Sequence, residues 1–136
     1  PLRYVVEEDI EKLKDRLYSE LRNRKKRGEI LDLKMEDDSI LVYLRKWLMC
    51  RLLFESSGEE NSISLSFDVD WSAFEKIKKM KLRHYVGFIF IGSYIIKRKE
   101  KELEMEINEV LNYMKDPSNY EDVKKFKNLI DGLLKT

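Results

Sequence analysis

Apolar side chains recur at spacings of three and four over residues 5–27, where Val6, Ile10, Leu13, Leu17 and Leu21 form one stripe. That is the pattern of a surface helix burying one face, and Gly28 is a natural stop for it. Leu31, Leu33 and Met35 then alternate with Asp32, Lys34 and Glu36, which predicts a short strand. From Ile40 through Leu41, Leu44, Trp47, Leu48, Arg51 and Leu52 the spacing suits a helix over about 39–54, with Asp38 or Ser39 as its cap. Residues 55–62 read as an acidic loop. Ile63, Leu65, Phe67 and Val69 alternate with Ser64, Ser66 and Asp68, the cleanest period of two in the chain, and predict a strand.

Asp70 is placed to cap a following helix, in which Ser72 and Glu75 have capping-box spacing. Residues 83–97 are apolar on all sides. A buried central helix fits them, and so do two strands turning at Gly92–Ser93; the helix is favoured, although periodicity does not separate the two. Residues 100–114 predict an amphipathic helix, with Leu103, Ile107, Val110, Leu111 and Met114 on one side. After the break at Asp116-Pro117-Ser118, Ser118 with Glu121 predicts the start of a last helix that buries Val123, Phe126, Ile130, Leu133 and Leu134. These elements add up to a mainly α fold: one compact helical domain over residues 1–136, with one or two short strands and room for a small hairpin.

The 136 residues are 43% hydrophobic, enough for one core. Charged residues reach 39%, but 27 Lys and Arg against 26 Asp and Glu leave only +1. That balance excludes a uniformly basic histone-like protein and an acidic tail protein. The longest apolar run, Tyr85–Ile96, is too short to span a bilayer. No secretory leader opens the chain, so the expectation is a cytoplasmic protein without membrane contact. One cysteine, Cys50, and one histidine, His84, exclude internal disulfides, all-cysteine metal sites and sites with two His ligands. The wealth of Lys and Glu fits a hyperthermophile, and it equally fits the codon bias of an AT-rich genome.

Charge is segregated along the chain. Residues 71–101 carry nine bases against two acids, while 55–70 carry five acids and no base. Arg22-Asn23-Arg24-Lys25-Lys26-Arg27 closes the first helix, either as a solvated end that meets the helix dipole or as a contact for a partner. Bases on both sides of an apolar helix create a local field that attracts phosphates. Arg83 and His84 stand where that helix should begin, and the free N–H groups of a first turn favour an anion. Arg83 can add two parallel hydrogen bonds to a phosphate. The plainer alternative pairs Arg83 with an acid of the 55–70 loop and packs His84 quietly.

Other residues carry less. Trp71 beside the basic segment is a core or staple residue, or a platform for a base. Trp47 belongs to the core, and Cys50, on the helix of 39–54, is a small buried apolar residue rather than a nucleophile. Asp68 and Asp70 form an Asp-x-Asp pair of the kind that binds Mg²⁺, but no third acid accompanies them. No phosphate-binding glycine loop and no Ser-His-Asp arrangement is readable, so no catalytic residues are assigned.

The run from Phe74 to Ile96, centred on Leu82-Arg83-His84, resembles the C-terminal domain of the large subunit of archaeal and eukaryotic DNA primases. In that family a short helix leads through a Leu-Arg-His turn into an apolar helix, and the Arg and His hold a 5′ triphosphate. The family domain carries an iron–sulfur cluster on four cysteines, whereas this chain has only Cys50, and Gly87 stands where the family has a second arginine. A cluster-free relative, the third and non-catalytic subunit of crenarchaeal primases, is the nearest in kind. The resemblance implies an accessory subunit of a primase with no catalysis of its own. It would bind the initiating nucleoside triphosphate through Arg83 and His84, with Lys76, Lys79, Lys81 and Arg22 completing the phosphate site. It also implies no cofactor beyond Mg²⁺ arriving with the nucleotide. Its partners would be the catalytic and large primase subunits and primer–template nucleic acid. Two other readings of the same residues are a small protein-interaction module and a general nucleic-acid-binding module.

Overall fold

The structure is a computed structural model and describes residues 2–73 and 93–135. Five strands, β1 (Leu2–Val6), β2 (Asp32–Met35), β3 (Ser39–Tyr43), β4 (Leu48–Ser57) and β5 (Glu60–Val69), form one antiparallel sheet in the order β1-β5-β4-β3-β2. Helix α1 (Ile10–Lys26) carries the chain from one edge strand, β1, to the other, β2. Helices α2 (Ser93–Lys115) and α3 (Glu121–Lys135) follow, separated by a 3₁₀ turn at Pro117–Asn119. The fold is therefore α/β rather than mainly helical.

The correction is concentrated in 39–54. Read as a helix, it is β3 and the first part of β4, joined by the turn Leu44–Trp47. In β4 the residues Leu48, Cys50, Leu52 and Phe54 are buried, while Met49, Arg51 and Leu53 are only partly so. A strand sends all four of the first set to one face. Across the ladder Cys50 lies opposite Val42 and Phe67, Leu52 opposite Ile40 and Leu65, and Phe54 opposite Ile63. Long-range pairing on both sides of β4 overrides a local spacing that also suits a helix. The acidic loop of 55–62 is likewise a hairpin, in which β4 runs to Ser57 and β5 starts at Glu60. Gly58 makes its turn at φ +63, a conformation glycine adopts without penalty.

The first helix starts at Ile10, because residues 2–6 pair with β5 as an edge strand. Asp9 caps it by accepting the Lys12 N–H at 3.3 Å. Its end is as expected: Gly28 at φ +79 lies just beyond Lys26, and its N–H donates to the Lys25 carbonyl. The two predicted strands recur within β2 and β5. Residues 93–97 belong to α2, so the second strand of a hairpin turning at Gly92–Ser93 is not formed; residues 83–92 lie outside the described residues. Ser118 is not the cap of the last helix. It sits in the 3₁₀ turn, and α3 begins three residues later, at Glu121.

One face of the sheet carries the main core. Leu13, Leu17 and Leu21 of α1 and Phe126 and Ile130 of α3 pack with Leu33, Ile40, Val42, Cys50, Leu52, Ile63 and Leu65. A second cluster lies at the β3–β4 turn, where Trp47 and Leu48 meet Val110 and Tyr113 of α2 and Val123 of α3. Trp47 is 1% exposed, as a core residue should be, whereas Trp71 is 57% exposed and is not a core residue. Cys50 is buried as expected, but on a strand. Burial pushes its thiol far above the usual range and keeps it protonated.

One buried charge ties a helix to a turn. Lys14 of α1 is 5% exposed. Its ammonium donates to the main-chain carbonyls of Glu36, at 2.6 Å, and of Asp37. This clamp holds the β2–β3 turn, where the Glu36 carboxylate accepts from Ser39 and Arg51. Lys14→Met keeps the bulk and removes the donors. It is expected to cost about 1–3 kcal/mol, seen as a lower urea midpoint at unchanged slope. An unchanged midpoint would show that water serves those carbonyls equally well.

Candidate functional site

The antiparallel topology sorts charge that the linear sequence leaves interleaved. Three segments meet at one end of the sheet: residues 7–9 after β1, 36–38 between β2 and β3, and 55–60 around the β4–β5 turn. Each carries three acids and no base. All nine acids are exposed. Hydrogen bonds hold the segments together, from Asn61 Nδ2 to the Glu8 carbonyl at 3.2 Å and from the Phe54 N–H to the Asp38 carbonyl at 2.8 Å.

The opposite end is basic. Helix α1 finishes there with Arg22, Arg24, Lys25, Lys26 and Arg27, and the β3–β4 turn adds Arg45 and Lys46. Leu31 N–H donates to the Tyr43 carbonyl at 2.9 Å, which fixes the helix exit beside that turn. Several of these bases are paired. Glu29 lies 3.4 Å from Arg24 and 3.8 Å from Arg27, and Asp32 lies 3.1 Å from Lys25. The Leu33 N–H and Lys25 hold the Asp32 carboxyl below its usual range. Arg45 contacts Asp122 at 2.6 Å and Glu109 at 3.8 Å. Arg22, Lys26, Lys46 and Lys125 have no ion-pair partner among the described residues.

Two adjoining open clefts lie at this end and share Glu29, Ile30, Leu44 and Arg45. The first, about 500 Å³, has a floor of Ile30, Leu44, Phe126 and Leu129 and a rim of Arg24, Arg45, Lys125, Glu29 and Asp122. The Nε of Arg24 is enclosed and has no hydrogen-bond partner among the described residues. A buried donor in that state is costly and is satisfied by any acceptor that reaches it. The second cleft, about 830 Å³, runs between the β3–β4 turn and α2, with Lys25, Arg45, Lys46 and Glu29 on one wall and Glu102, Glu106 and Glu109 on the other.

Of the residues singled out in the sequence, Arg22 is placed at the basic end, exposed. Lys76, Lys79, Lys81, Arg83 and His84 lie outside the described residues. Of the Asp-x-Asp pair, the Asp70 carboxylate accepts the Ser72 N–H at 3.1 Å and hydroxyl at 2.5 Å, and the Tyr43 hydroxyl at 3.4 Å. Among the described residues no group of three or more His, Cys, Asp or Glu could hold a metal ion, and no helix is long and apolar enough to cross a membrane. The sequence pattern alone does not single out Arg45, Lys46 or Lys125. Leu44-Arg45-Lys46-Trp47 becomes visible only if Ile40–Tyr43 and Leu48–Phe54 are read as strands flanking a turn. Comparison of the chain with protein-family models, curated proteins and solved structures gives no match.

Proposed function

We propose that the chain is a binding module for phosphate-bearing polymers, nucleic acid above all, and that the basic end of the sheet is its contact surface. The observation that carries the reading is the meeting of Arg22–Arg27 with Arg45 and Lys46 at one end, with Arg22, Lys26 and Lys46 left unpaired among the described residues. Net charge is the wrong quantity here. The ten residues of β4 separate the poles by about 33 Å, while the Debye length at physiological salt is about 8 Å. The acidic end therefore does not cancel the basic one for a ligand that touches it. Contacts of this kind are sequence-independent, with dissociation constants on the order of 10⁻⁴–10⁻⁶ M at physiological salt.

Fluorescence anisotropy with a labelled single-stranded oligonucleotide, titrated at several salt concentrations, tests the reading. Lys26→Glu with Lys46→Glu is expected to weaken binding about tenfold or more and to flatten the salt dependence. Glu59→Gln with Glu60→Gln, at the other end of the sheet, serves as the control and should leave affinity within about twofold, by screening. An equal change from both pairs of substitutions, or none from either, would refute the assignment.

A narrower form of the reading is the primase accessory subunit that holds an initiating triphosphate. It rests on Leu82-Arg83-His84, which lie outside the described residues. Its mark would be preference for a 5′-triphosphate over a 5′-hydroxyl strand, abolished by Arg83→Ala with His84→Ala. Equal affinity for both strands would remove it and leave the broader reading intact.

A further inference from the structure

The second cleft does not suit a polyanion, because Glu102, Glu106 and Glu109 form one of its walls. We infer that it is a docking groove for an amphipathic helix of a protein partner, one that carries bases along one flank and acids along the other. The floor is apolar: Ile30, Leu31, Leu44, Trp47 and Met105 contribute to it, and Leu31 and Met105 remain 52% and 60% exposed. Large apolar side chains left open in a groove are the usual mark of a contact surface, and the flexible thioether of Met105 adapts to what packs on it. The walls differ in sign: Lys25, Arg45 and Lys46 outweigh Glu29 on one, and the other carries three glutamates, of which Glu102 lies 3.7 Å from Arg98 and Glu109 3.8 Å from Arg45. A partner's flanks must match both, so the groove reads charge on two sides at once.

The occupant is helical for a reason of hydrogen bonding. The lining consists of a helix face, the helix exit at Gly28–Leu31 and the turn at Leu44–Trp47. It offers side chains rather than a strand edge. A helix arrives with its backbone hydrogen bonds already made and sets one apolar stripe between two polar flanks, which matches an apolar floor between two charged walls, whereas an extended segment turns alternate side chains to opposite faces. Opposite walls also impose a direction, because turning the helix end for end exchanges its flanks and sets like charges against like.

Three synthetic peptides of about 20 residues, long enough to hold a helix, share one apolar stripe and differ only in their flanks: Lys on one side and Glu on the other, Lys on both, or Glu on both. Binding to the whole chain is followed by anisotropy. The mixed-flank peptide is expected to bind about tenfold tighter than either of the others. In Glu102→Lys/Glu106→Lys the preference should move to the peptide with Glu on both flanks, and Met105→Asp, an exposed position, should weaken all three. Equal binding of the peptides, an unchanged preference in the double variant, or indifference to Met105→Asp would each overturn the assignment. Circular dichroism of each variant confirms that the fold is retained.

Discussion

Trp47→Ala should remove about 3–5 kcal/mol of stability, a large share of the roughly 5–15 kcal/mol that a domain possesses. The indole is fully enclosed where three parts of the chain meet. Its ring lies 5.7 Å from that of Tyr113 in α2 and 6.0 Å from that of Tyr120, and these two tyrosines lie 5.7 Å apart, edge to face. Tilted aromatic contacts of this geometry add to the gain from burial. The Trp47 carbonyl also accepts the Asp70 N–H at 2.6 Å, so the β3–β4 turn is fastened to the end of β5. With the indole gone, Val110 and Tyr113 lose the surface on which α2 sits. Hydrogen exchange should therefore rise first in the second half of α2, while β4 and β5 keep their protection. Uniform loss of protection across sheet and helix would show that the two clusters unfold as one unit.

Leu52→Ala, about 2–5 kcal/mol, should behave in the opposite way. Leu52 is fully buried at the middle of β4, between Ile40 of β3 and Leu65 of β5, under the stripe of α1. A cavity there touches the central strand and the helix that covers it, so no part can detach and leave the remainder intact. The expectation is a lower urea midpoint with a single transition, and protection lost in β3, β4, β5 and α1 together. The two clusters share Leu44 and Phe67 at their margins, but Trp47 and Leu52 themselves belong to different ones. Their costs should add within about 0.5 kcal/mol in the double variant. A larger deviation would mean that the clusters are coupled through those shared residues.

The sequence makes some of this visible and hides the rest for physical reasons. The stripe Leu13–Leu17–Leu21 and the alternation Ile63–Val69 are each long and pure in one period, and both elements are recovered. Residues 39–54 satisfy two periods at once, since Leu44 and Leu48 serve a helical spacing while Leu48, Cys50, Leu52 and Phe54 serve a strand. The usual punctuation is also absent. The turn Leu44–Trp47 contains no glycine, and among the described residues every non-glycine has negative φ, so its backbone requires none. Only pairing across the ladder, with β3 on one side of β4 and β5 on the other, decides between the two periods. The candidate site is hidden by the same step. Basic residues 22–27 are obvious in the sequence, but their meeting with Arg45 and Lys46 exists only once 39–54 folds back as a hairpin. The phosphate site proposed around Arg83 and His84 depends on residues outside those described, and the sheet neither supplies nor removes them.

Among the described residues nine carboxylates stand at one pole and seven cations at the other, the latter partly offset by Glu29, Asp32, Glu109 and Asp122, so charge is unevenly spread along α1, in the same sense as the charges that favour its two ends. Molecules of that kind attract one another head to tail when counterions are scarce. Dilute solutions at low ionic strength should accordingly show a negative second virial coefficient that turns positive as salt is added, although the net charge never changes.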